Sequence, residues 1–362
     1  MFHISKSDKT KQASSTKAFN IAIVLFVLVA ILSVALFAFT SCTSNDGNKN
    51  NTSNNENVQN AIPSAGISAQ KSNTNSNADS NTNANSNSGV ADSGVSSDTN
   101  STLSSADNTL IVRFLDVGQG DCALITCGGE SLLIDGGPPS ASSKVYSVLK
   151  TLNLQNLNYI VASHPDSDHI GGISGALTYA GCNTFYCSSD TSDTSTFSSM
   201  KSKLAGYGKS VTVPNVGDSF TLGSATVTFV GPVQQSEKSE NNNSLVLRIN
   251  HGSQSFLFTG DAETEAESAM LAKGANVSAN VLKVAHHGSK SSSSASFLRA
   301  VSPQIAVISV GNNSYGHPNS RVIEALQNVG AQVLRTDEVG SIIMKSDGAS
   351  IAQYTTKGEI SE

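Results

Sequence analysis

The sequence predicts an α/β fold for the part of the chain that follows about residue 107, and three observations support this prediction. Apolar runs typical of buried strands alternate there with helix-like segments. Three of the runs stop at an acidic residue or a histidine, and a small residue or a helix comes next. The roughly 255 residues of this part are enough for one large domain with a substantial core. We therefore expect a single domain over residues 108–362.

The first 42 residues combine a basic start with a long apolar segment. Four lysines precede residues 18–39, an uncharged stretch long enough to span a bilayer, for which about 20 residues suffice. Residues 39–42 resemble a bacterial lipobox, so Cys42 is a candidate for lipidation. A lipoprotein signal peptide and an uncleaved membrane anchor both stay open. Each predicts attachment to the cell membrane with everything after Cys42 outside the cell.

Residues 43–107 form a linker between this segment and the domain. They consist almost wholly of Asn, Ser, Thr, Ala, Asp and Gly and lack apolar periodicity. Such a segment buries too little surface to offset its ordering entropy. We expect a disordered tether.

The loop that follows residues 157–163 carries four potential metal ligands. The apolar run predicts a buried strand, the loop reads His164-Pro165-Asp166-Ser167-Asp168-His169, and a helix is expected from Ile170. Open α/β sheets place their chemistry where parallel strands end. Imidazole and carboxylate suit zinc, or manganese or iron where oxygen ligands dominate. Simple capping of the helix, with Asp168 near its start, would leave the other three residues unexplained.

Two later strand-like runs stop in the same way. Residues 255–259 end at Gly260-Asp261 before a helical segment over residues 262–271. Residues 280–285 end at His286-His287-Gly288-Ser289. We expect all three loops to lie at one edge of one sheet.

Seven motifs in order resemble the metallo-β-lactamase superfamily of dinuclear metal hydrolases, over roughly residues 109–355. The motifs are Phe114–Asp121, Leu133–Gly137, Ser163–Gly172, Asn242–Leu247, Phe258–Asp261, His286–Ser289 and Tyr315–Pro318. Within the superfamily the likeness is strongest to the C-terminal domain of the ComEC family of competence DNA-uptake proteins. The resemblance implies a four-layer αββα sandwich.

The resemblance also implies two divalent metal ions, Zn or Mn. The implied ligands are His164 and Asp166 for the first ion, Asp168, His169 and His287 for the second, and Asp261 as a bridge. We favour His287 over His286 as the ligand, and the reverse assignment stays open. Asp135 is expected to brace the ligand loop without binding metal.

Two departures from the superfamily pattern concern the first ion. Most members have histidine where this chain has Asp166, and another just before the strand expected from Asn243. With only His164, Asp166 and Asp261 as ligands, we expect weaker metal binding at this position. A carboxylate beside the attacking water argues against β-lactam hydrolysis and favours a phosphodiester clamped by metal.

The expected chemistry is metal-assisted hydrolysis. Asp168 would orient the hydroxide, while His286 and His317 would stabilise phosphoryl oxygens or protonate the leaving group. Residues expected behind the ligands or at the substrate are Asp121, Asn243, Ser244 and Ser289. Ser289 and the serines after it precede an expected helix start, where phosphate binds well, although a serine run is also common in plain surface loops. Asp121 could equally be a turn residue only.

The charge balance excludes a dedicated duplex-DNA binder. The net charge is −6, and the domain lacks a broad basic footprint. Lys283, Lys290, Arg299 and Arg321 fall near the expected site loops and could form a small basic patch, but we expect most of them to be ordinary surface charge. His251, at the tip of an expected hairpin, should be solvated.

Four cysteines remain besides Cys42. An even number outside the cell permits disulfides, and the most feasible pair is Cys182 with Cys187. Cys122 and Cys127 should lie on opposite faces of their strand, which disfavours pairing. Free buried thiols stay equally open.

Together these observations predict a surface-anchored dinuclear hydrolase that cleaves a phosphodiester, with extracellular nucleic acid such as single-stranded DNA as the implied substrate. One alternative is a cell-wall phosphodiesterase that acts on phosphocholine-decorated teichoic acid. An aromatic, choline-sized pocket would favour it, whereas an open groove with lysines would favour nucleic acid. A second alternative is a metal-poor binding module, against which the intact ligand set counts. The identity of any protein partner stays open.

Overall fold

The computed structural model describes residues 108–357. The predicted membrane segment, the lipidation of Cys42 and the linker over residues 43–107 lie outside these residues. Among the residues described, no helix has the length and apolar character needed to cross a membrane.

The described residues form strands, short α-helices and three 3-10 turns. The strands are β1 Leu110–Phe114, β2 Ala123–Cys127, β3 Glu130–Ile134, β4 Asn156–Ala162, β5 Gly181–Cys187, β6 Val211–Thr212, β7 Ser219–Leu222, β8 Ala225–Gly231, β9 Val246–His251, β10 Gln254–Phe258, β11 Val281–Lys283, β12 Ile305–Ile308, β13 Gln332–Arg335, β14 Ile342–Ser346 and β15 Ile351–Thr355. The helices are α1 Ser142–Thr151, α2 Ser167–Ile170, α3 Ile173–Tyr179, α4 Ser195–Gly206, α5 Thr264–Ala272, α6 Ala295–Val301, α7 Ser320–Asn328 and α8 Thr336–Val339. The 3-10 turns are Pro139–Ala141, Asn241–Asn243 and Ala285–Gly288.

Two sheets pack face to face between two layers of helices. The first has the order β15-β14-β1-β2-β3-β4-β5-β6 and the second the order β13-β12-β11-β10-β9-β8-β7. The core between the sheets includes Phe114, Leu247 and Phe256. Helices α1, α3 and α4 cover the outer face of the first sheet, and α5, α6 and α7 cover that of the second. This confirms the predicted α/β sandwich.

The three strands that lead to the predicted ligands do not belong to one sheet, so that expectation is wrong. Strand β4 pairs in parallel with β3 in the first sheet. Strands β10 and β11 pair in parallel in the second. Apolar periodicity shows that a strand is buried but not which sheet it joins. The ligands still meet, because the carboxyl ends of all three strands lie at the same edge of the sandwich.

Glycines let two turns approach closely at this edge. The Gly136 N–H donates to the His169 carbonyl over 2.6 Å, and the Gly172 N–H donates to the Gly137 carbonyl over 2.9 Å. A Cβ on Gly172 would lie only 1.9 Å from the Gly136 oxygen. The turn after β3 therefore holds the ligand loop through its backbone, which explains the paired glycines in both motifs.

The four cysteines of the described residues are buried free thiols. Cys182 and Cys187 both lie in β5, and five residues of strand separate their Cα atoms by about 16 Å. A disulfide needs less than about 7 Å, so the suggested pair is wrong. Cys122 and Cys127 contribute to cores on opposite faces of the first sheet, as predicted.

His251 is buried rather than solvated, which corrects the prediction from its hairpin position. Only 4% of the residue is exposed. Its Nδ1 lies 3.0 Å from Ser346 Oγ and its Nε2 lies 3.1 Å from Ser224 Oγ. Neighbouring loops cover the hairpin tip, and their hydroxyls satisfy both ring nitrogens.

Candidate metal centre

The loop after β4 aims two buried imidazoles at the space between the sheets. His164 and His169 are both fully buried. Asp166 precedes the first residue of α2, and 45% of its side chain is exposed. Asp168 lies in the first turn of the same helix. The loop and the four-residue helix that follows it thus place four candidate ligands within six consecutive residues.

The second sheet contributes the remaining candidates. Asp261, which is buried, follows β10, and His286 and His287 lie in the 3-10 turn after β11. Both histidines have φ of 51°, in the left-handed region that residues with a Cβ rarely adopt. Such strain concentrates at functional sites. His287 is buried, whereas His286 reaches the surface of the cleft.

Candidate ligand atoms from both sheets lie close together. His169 Nε2 is 3.2 Å from Asp261 Oδ1, and His287 Nε2 is 3.6 Å from Asp261 Oδ2. Asp168 Oδ2 is 3.3 Å from His287 Nε2. Four overlapping groups have candidate ligand atoms that all lie within 4.8 Å of one another: His164 with His169 and Asp261, Asp168 with His169 and His287, Asp121 with Asp135 and His169, and Asp121 with Asp261 and His287. Asp166 belongs to none of these four groups.

The donor set fits divalent metal ions on a second ground. Eight buried side-chain atoms of residues 108–357 have no hydrogen-bond partner, and four of them are candidate ligand atoms: His164 Nε2, His169 Nε2, His287 Nε2 and Asp261 Oδ1. Buried polar atoms are rarely left unpaired, because this costs free energy. Imidazole nitrogen and carboxylate oxygen are ligands that zinc accepts, and manganese accepts the oxygens. We name His164 with Asp166 the first subsite and Asp168, His169 and His287 the second subsite, with Asp261 between them.

Asp135 and Ser163 orient His169. Asp135 Oδ1 accepts a hydrogen bond from the Ser163 N–H over 2.7 Å, and Oδ2 accepts one from Ser163 Oγ over 2.8 Å. Asp135 Oδ2 also lies 3.0 Å from His169 Nδ1. Because Asp135 contacts Nδ1, the other ring nitrogen, Nε2, faces the centre and can bind a metal ion, which is the usual arrangement of a metal-binding histidine.

A buried ion pair supports His287 in the same way. Its Nδ1 lies 2.9 Å from the Ser309 carbonyl and 3.2 Å from Asp121 Oδ1. Asp121 Oδ2 in turn is 2.7 Å from Lys283 Nζ. Only 3% of Lys283 is exposed, so the expectation that it is surface charge is wrong. Asp121 lies behind the ligands and not in the substrate cleft.

In the absence of metal, neighbouring charges keep the two imidazoles of the second subsite protonated and keep Asp168 ionised. Burial lowers the pKa of His287, but Asp261 and Asp121 outweigh it and raise this pKa to about 10. Burial also lowers the pKa of His169, but Asp261 and Asp135 outweigh it and raise this pKa above its ordinary value. Burial raises the pKa of Asp168, yet His287 and His169 bring it down to about 2. Metal binding would displace the imidazole protons.

The first subsite is the more open of the two, with 45% of the Asp166 side chain exposed against 34% of Asp168. His164 Nε2 is 3.5 Å from Asp166 Oδ2, and this contact lowers the pKa of Asp166. The pKa of the exposed Glu240 is raised by partial burial and then by the charge of Asp166. His164 Nδ1 lies 3.1 Å from Ser163 Oγ and 3.4 Å from Ser244 Oγ. No buried cation was found beside these carboxylates within residues 108–357.

A cleft of about 290 Å³ lies over the centre. Its lining consists of Gln119, Asp166, Ser167, Asp168, Asp261, His286, His287, Tyr315 and His317. The rings of His286 and His317 are 5.3 Å apart, and His286 Nε2 is 3.7 Å from Asp261 Oδ2. Neither the lysines of a nucleic-acid groove nor the several aromatic walls of a choline pocket line this cleft.

The remaining predicted residues lie around the centre. Asn243 pairs with the backbone of Ser236 over 2.7 and 3.0 Å, so it holds its own loop and does not contact the ligands. Ser244 Oγ accepts a hydrogen bond from the Asp261 N–H over 3.1 Å and thereby positions that carboxylate. Ser289 Oγ lies 3.0 Å from Ser291 Oγ, in the loop beside His286.

The serine loop before α6 offers less to a phosphate than its sequence indicates. Glu267, which is fully buried, accepts hydrogen bonds from the N–H groups of Ser293 and Ser294 over 2.5 and 2.9 Å. These amides are the donors that would have faced an anion. An internal carboxylate therefore occupies this helix start.

Sequence reasoning missed the roles of Ser163 and Lys283. Ser163 directly precedes His164, but a serine at the end of a strand carries no specific signal. Lys283 did carry one, because it interrupts the apolar run over residues 280–285. Strands of parallel sheets are buried on both faces, so a lysine inside such a run requires a buried partner.

Comparison with known proteins gives a family match. The model of the metallo-beta-lactamase superfamily matches residues 115–312, more than half of the chain. ComE operon protein 3 of Bacillus subtilis (strain 168) is 30% identical over 254 residues, which cover 64% of this chain and 32% of that protein. Competence protein ComA of Neisseria gonorrhoeae is 31% identical over 250 residues, covering 65% of this chain and 32% of that protein. The chain thus spans about a third of the length of these relatives.

Among solved structures, the metallo-beta-lactamase fold protein YhfI from Bacillus subtilis is similar. It shares 14% sequence identity and a TM-score of 0.47, and the match covers 66% of this chain and all of that one.

Proposed function

The chain belongs to the metallo-beta-lactamase superfamily, and we therefore propose that it is a metal-dependent phosphodiesterase that acts on extracellular DNA, single-stranded DNA included, or on related phosphodiesters. One observation carries the proposal. Buried ligand atoms without hydrogen-bond partners converge from both sheets on the floor of an open cleft. A metal-poor binding module would have no need to hold such atoms unpaired.

Two divalent ions, Zn or Mn, would occupy the two subsites. His164 and Asp166 would hold the first, Asp168, His169 and His287 the second, and Asp261 both. When bound, these ions supply Lewis-acid activation of water and neutralise charge on the phosphoryl oxygens. His287 suits the ligand role better than His286, because its Nε2 is buried without a partner while His286 faces the cleft.

Other side chains act on the substrate and on protons. Asp168, ionised down to about pH 2, would accept a hydrogen bond from the attacking water and aim it. His286 would stabilise a phosphoryl oxygen. The pKa of His317 is lowered by burial and by the neighbouring His286 and His287, so the neutral imidazole would donate a hydrogen bond to a phosphoryl oxygen at neutral pH.

The substrate class rests on the centre and on the relatives. A carboxylate ligand at the first subsite favours a hard metal ion that binds mainly oxygen atoms, and the oxygens of a phosphodiester would complete its coordination. The curated relatives include proteins named for competence. Since no lysine or arginine lines the cleft, phosphate recognition would depend on the metal ions and not on a basic groove.

The test measures metal-dependent turnover by the full-length protein, purified in detergent without chelator. With Mn²⁺ or Zn²⁺ added, we expect hydrolysis of bis-p-nitrophenyl phosphate and of labelled single-stranded DNA. Removal of ligation at the second subsite by Asp168→Ala or His169→Ala should cost several kcal/mol of catalysis, roughly a thousandfold in rate. The exposed Asp193→Ala serves as the matched control and should retain full activity.

The other outcomes separate the alternatives. Cleavage of the small diester but not of DNA would redirect the proposal to a cell-wall substrate, for which p-nitrophenylphosphocholine is the next probe. Two bound metals without turnover would make the chain a binding module. Failure to bind metal at all would overturn the enzymatic proposal.

We also propose that the N-terminus attaches the enzyme to the cell membrane with the hydrolase domain outside. The support is the sequence of residues 1–42. Membrane fractionation of cells that express wild type or Cys42→Ser tests it. Release of the variant to the medium would support lipidation, retention of both would support an uncleaved anchor, and a soluble wild type would contradict both.

A further inference from the structure

Tyr315 exposes an aromatic ring at the rim of the cleft. With 73% of the residue exposed, it is the most exposed large hydrophobic side chain within residues 108–357. Single exposed apolar side chains are normal on protein surfaces. This ring differs from an ordinary surface ring because it lines the same cleft as Asp168, Asp261 and His286.

A row of three rings leads from this rim to the metal centre. The Tyr315 ring lies 5.7 Å from that of His317, with 33° between their planes. The His317 ring lies 5.3 Å from that of His286, at 79°. His286 Nε2 is 3.7 Å from Asp261 Oδ2. A substrate whose phosphate lies at the centre would therefore extend its next group along His317 to Tyr315.

The loop that presents Tyr315 is held by one asparagine. Asn313 Oδ1 accepts hydrogen bonds from the N–H groups of Tyr315 and His317, each over 3.1 Å. Asn313 Nδ2 donates to the carbonyls of Gly311 and His317, each over 2.8 Å. These bonds fix the backbone that carries Tyr315, and the ring itself contacts His317 on one side. The rest of the ring is exposed and open to a ligand.

The composition of the cleft favours a flat, uncharged group at this rim. The charged side chains of the lining are Asp166, Asp168 and Asp261, which the proposed metal ions would neutralise. A quaternary ammonium group is held by a cage of several aromatic rings. Tyr315 is the one phenylalanine- or tyrosine-type ring in the lining. One open ring suits stacking by a single planar base.

We propose that Tyr315 is a stacking platform for the nucleobase next to the scissile phosphate, with His317 supporting the ring from the side of the centre. This inference rests on the proposed phosphodiesterase function and adds its specificity. Aromatic stacking accepts every base but requires that the base be unpaired. The enzyme should therefore prefer single strands and read no sequence.

The experiment compares two p-nitrophenyl diesters that differ only in the retained group: thymidine 5′-p-nitrophenyl phosphate and methyl p-nitrophenyl phosphate. Full-length wild type, Tyr315→Ala, Tyr315→Phe and Tyr354→Ala are each loaded with Mn²⁺. We expect Tyr315→Ala to raise KM for the thymidine ester roughly tenfold, within the range of base stacking on aromatic rings, and to leave methyl ester kinetics unchanged. Tyr315→Phe keeps the ring and should match wild type. Tyr354→Ala removes another exposed tyrosine, on β15, and should have no effect.

A binding measurement keeps the inference separate from the proposed function. Fluorescence anisotropy on an Asp168→Ala background follows labelled oligothymidylate and an abasic strand of the same length. Tyr315→Ala should weaken binding of oligothymidylate roughly tenfold and leave the abasic strand unaffected. If wild type cleaves neither diester, the proposed function fails while this comparison still tests the platform.

Three results would overturn the inference. Equal losses with the thymidine and methyl esters would make Tyr315 a structural residue. Unchanged kinetics and binding in Tyr315→Ala would show that no base stacks there. A loss confined to p-nitrophenylphosphocholine would assign the ring to a quaternary ammonium group.

Discussion

The two proposed subsites of the candidate metal centre share Asp261 but differ in how firmly their side chains are held. In the second subsite, Asp135 and Ser163 orient His169, and the Asp121–Lys283 ion pair lies behind His287. In the first subsite, 45% of the Asp166 side chain is exposed, and the negative Glu240 lies near it.

We therefore expect metal affinity to depend on more than the identity of the ligands. Groups behind the ligands fix their orientation and raise their basicity. We therefore expect the second subsite to bind the tighter ion and the first to bind an exchangeable one. The carboxylate at position 166 predicts the same order from the sequence, and the supporting contacts supply a separate reason for it.

The largest effect should follow from Lys283→Met, which removes the buried cation of the second subsite. Asp121 would remain buried without its partner, and such a change costs about 3–5 kcal/mol of unfolding free energy. Poorer orientation of His287 should also weaken the second ion roughly 10–100-fold and leave the first unaffected. Denaturant unfolding of the metal-free protein and calorimetric metal titration measure the two effects.

Two further variants serve as controls for this prediction. Lys290→Met removes an exposed lysine nearby and should change stability by less than about 0.5 kcal/mol. The double variant Lys283→Met/Asp121→Asn removes both charges and should recover most of the lost stability. A Lys283→Met protein as stable as wild type would show that the ion pair contributes nothing.

A smaller effect is expected from Asp166→His at the first subsite. Imidazole is a better zinc ligand than an exposed carboxylate, so the affinity for the weaker zinc ion should rise about tenfold. Competition with a chromophoric chelator measures this, with Asp193→His as the surface control. An unchanged affinity would remove Asp166 from the ligand set and, with it, this explanation of the difference between the subsites.

The smallest effect concerns the pH dependence of the gain in Tm on metal binding. The folded-state pKa of metal-free His287 is raised to about 10 from an ordinary 6.5. Its protonated form therefore stabilises the metal-free fold fully below pH 6.5, and this contribution is lost as the pH rises toward 10. Metal requires the neutral imidazole, so the difference in Tm between loaded and metal-free protein should widen by a few degrees from pH 6 to pH 9. A difference that narrows over this range would contradict the proton linkage.

Sequence patterns predicted the layers of the fold and pointed to the candidate ligands, but they did not predict which sheet carries each ligand. Residues such as His164 and Asp261 stand out because polar groups end apolar strands. The assignment of β4 and β10 to different sheets depends on pairing between distant strands, which periodicity does not encode. The burial of His251 depends likewise on loops that fold over it from elsewhere in the chain. The burial of Lys283 beside a carboxylate could have been predicted, because a charged residue inside a buried parallel strand requires a partner.

The consecutive left-handed conformations of His286 and His287 bear on selection. At both positions glycine would adopt φ of 51° without strain, whereas a residue with a Cβ is disfavoured by about 1–2 kcal/mol. At position 286 selection for stability alone would favour glycine, because the ring of His286 reaches the surface of the cleft. At position 287 the buried ring contacts Asp121 and the Ser309 carbonyl, and these contacts oppose the backbone strain. A laboratory lineage freed from its substrate should therefore lose His286 early and keep His287, and the His286→Gly variant should be the more stable protein.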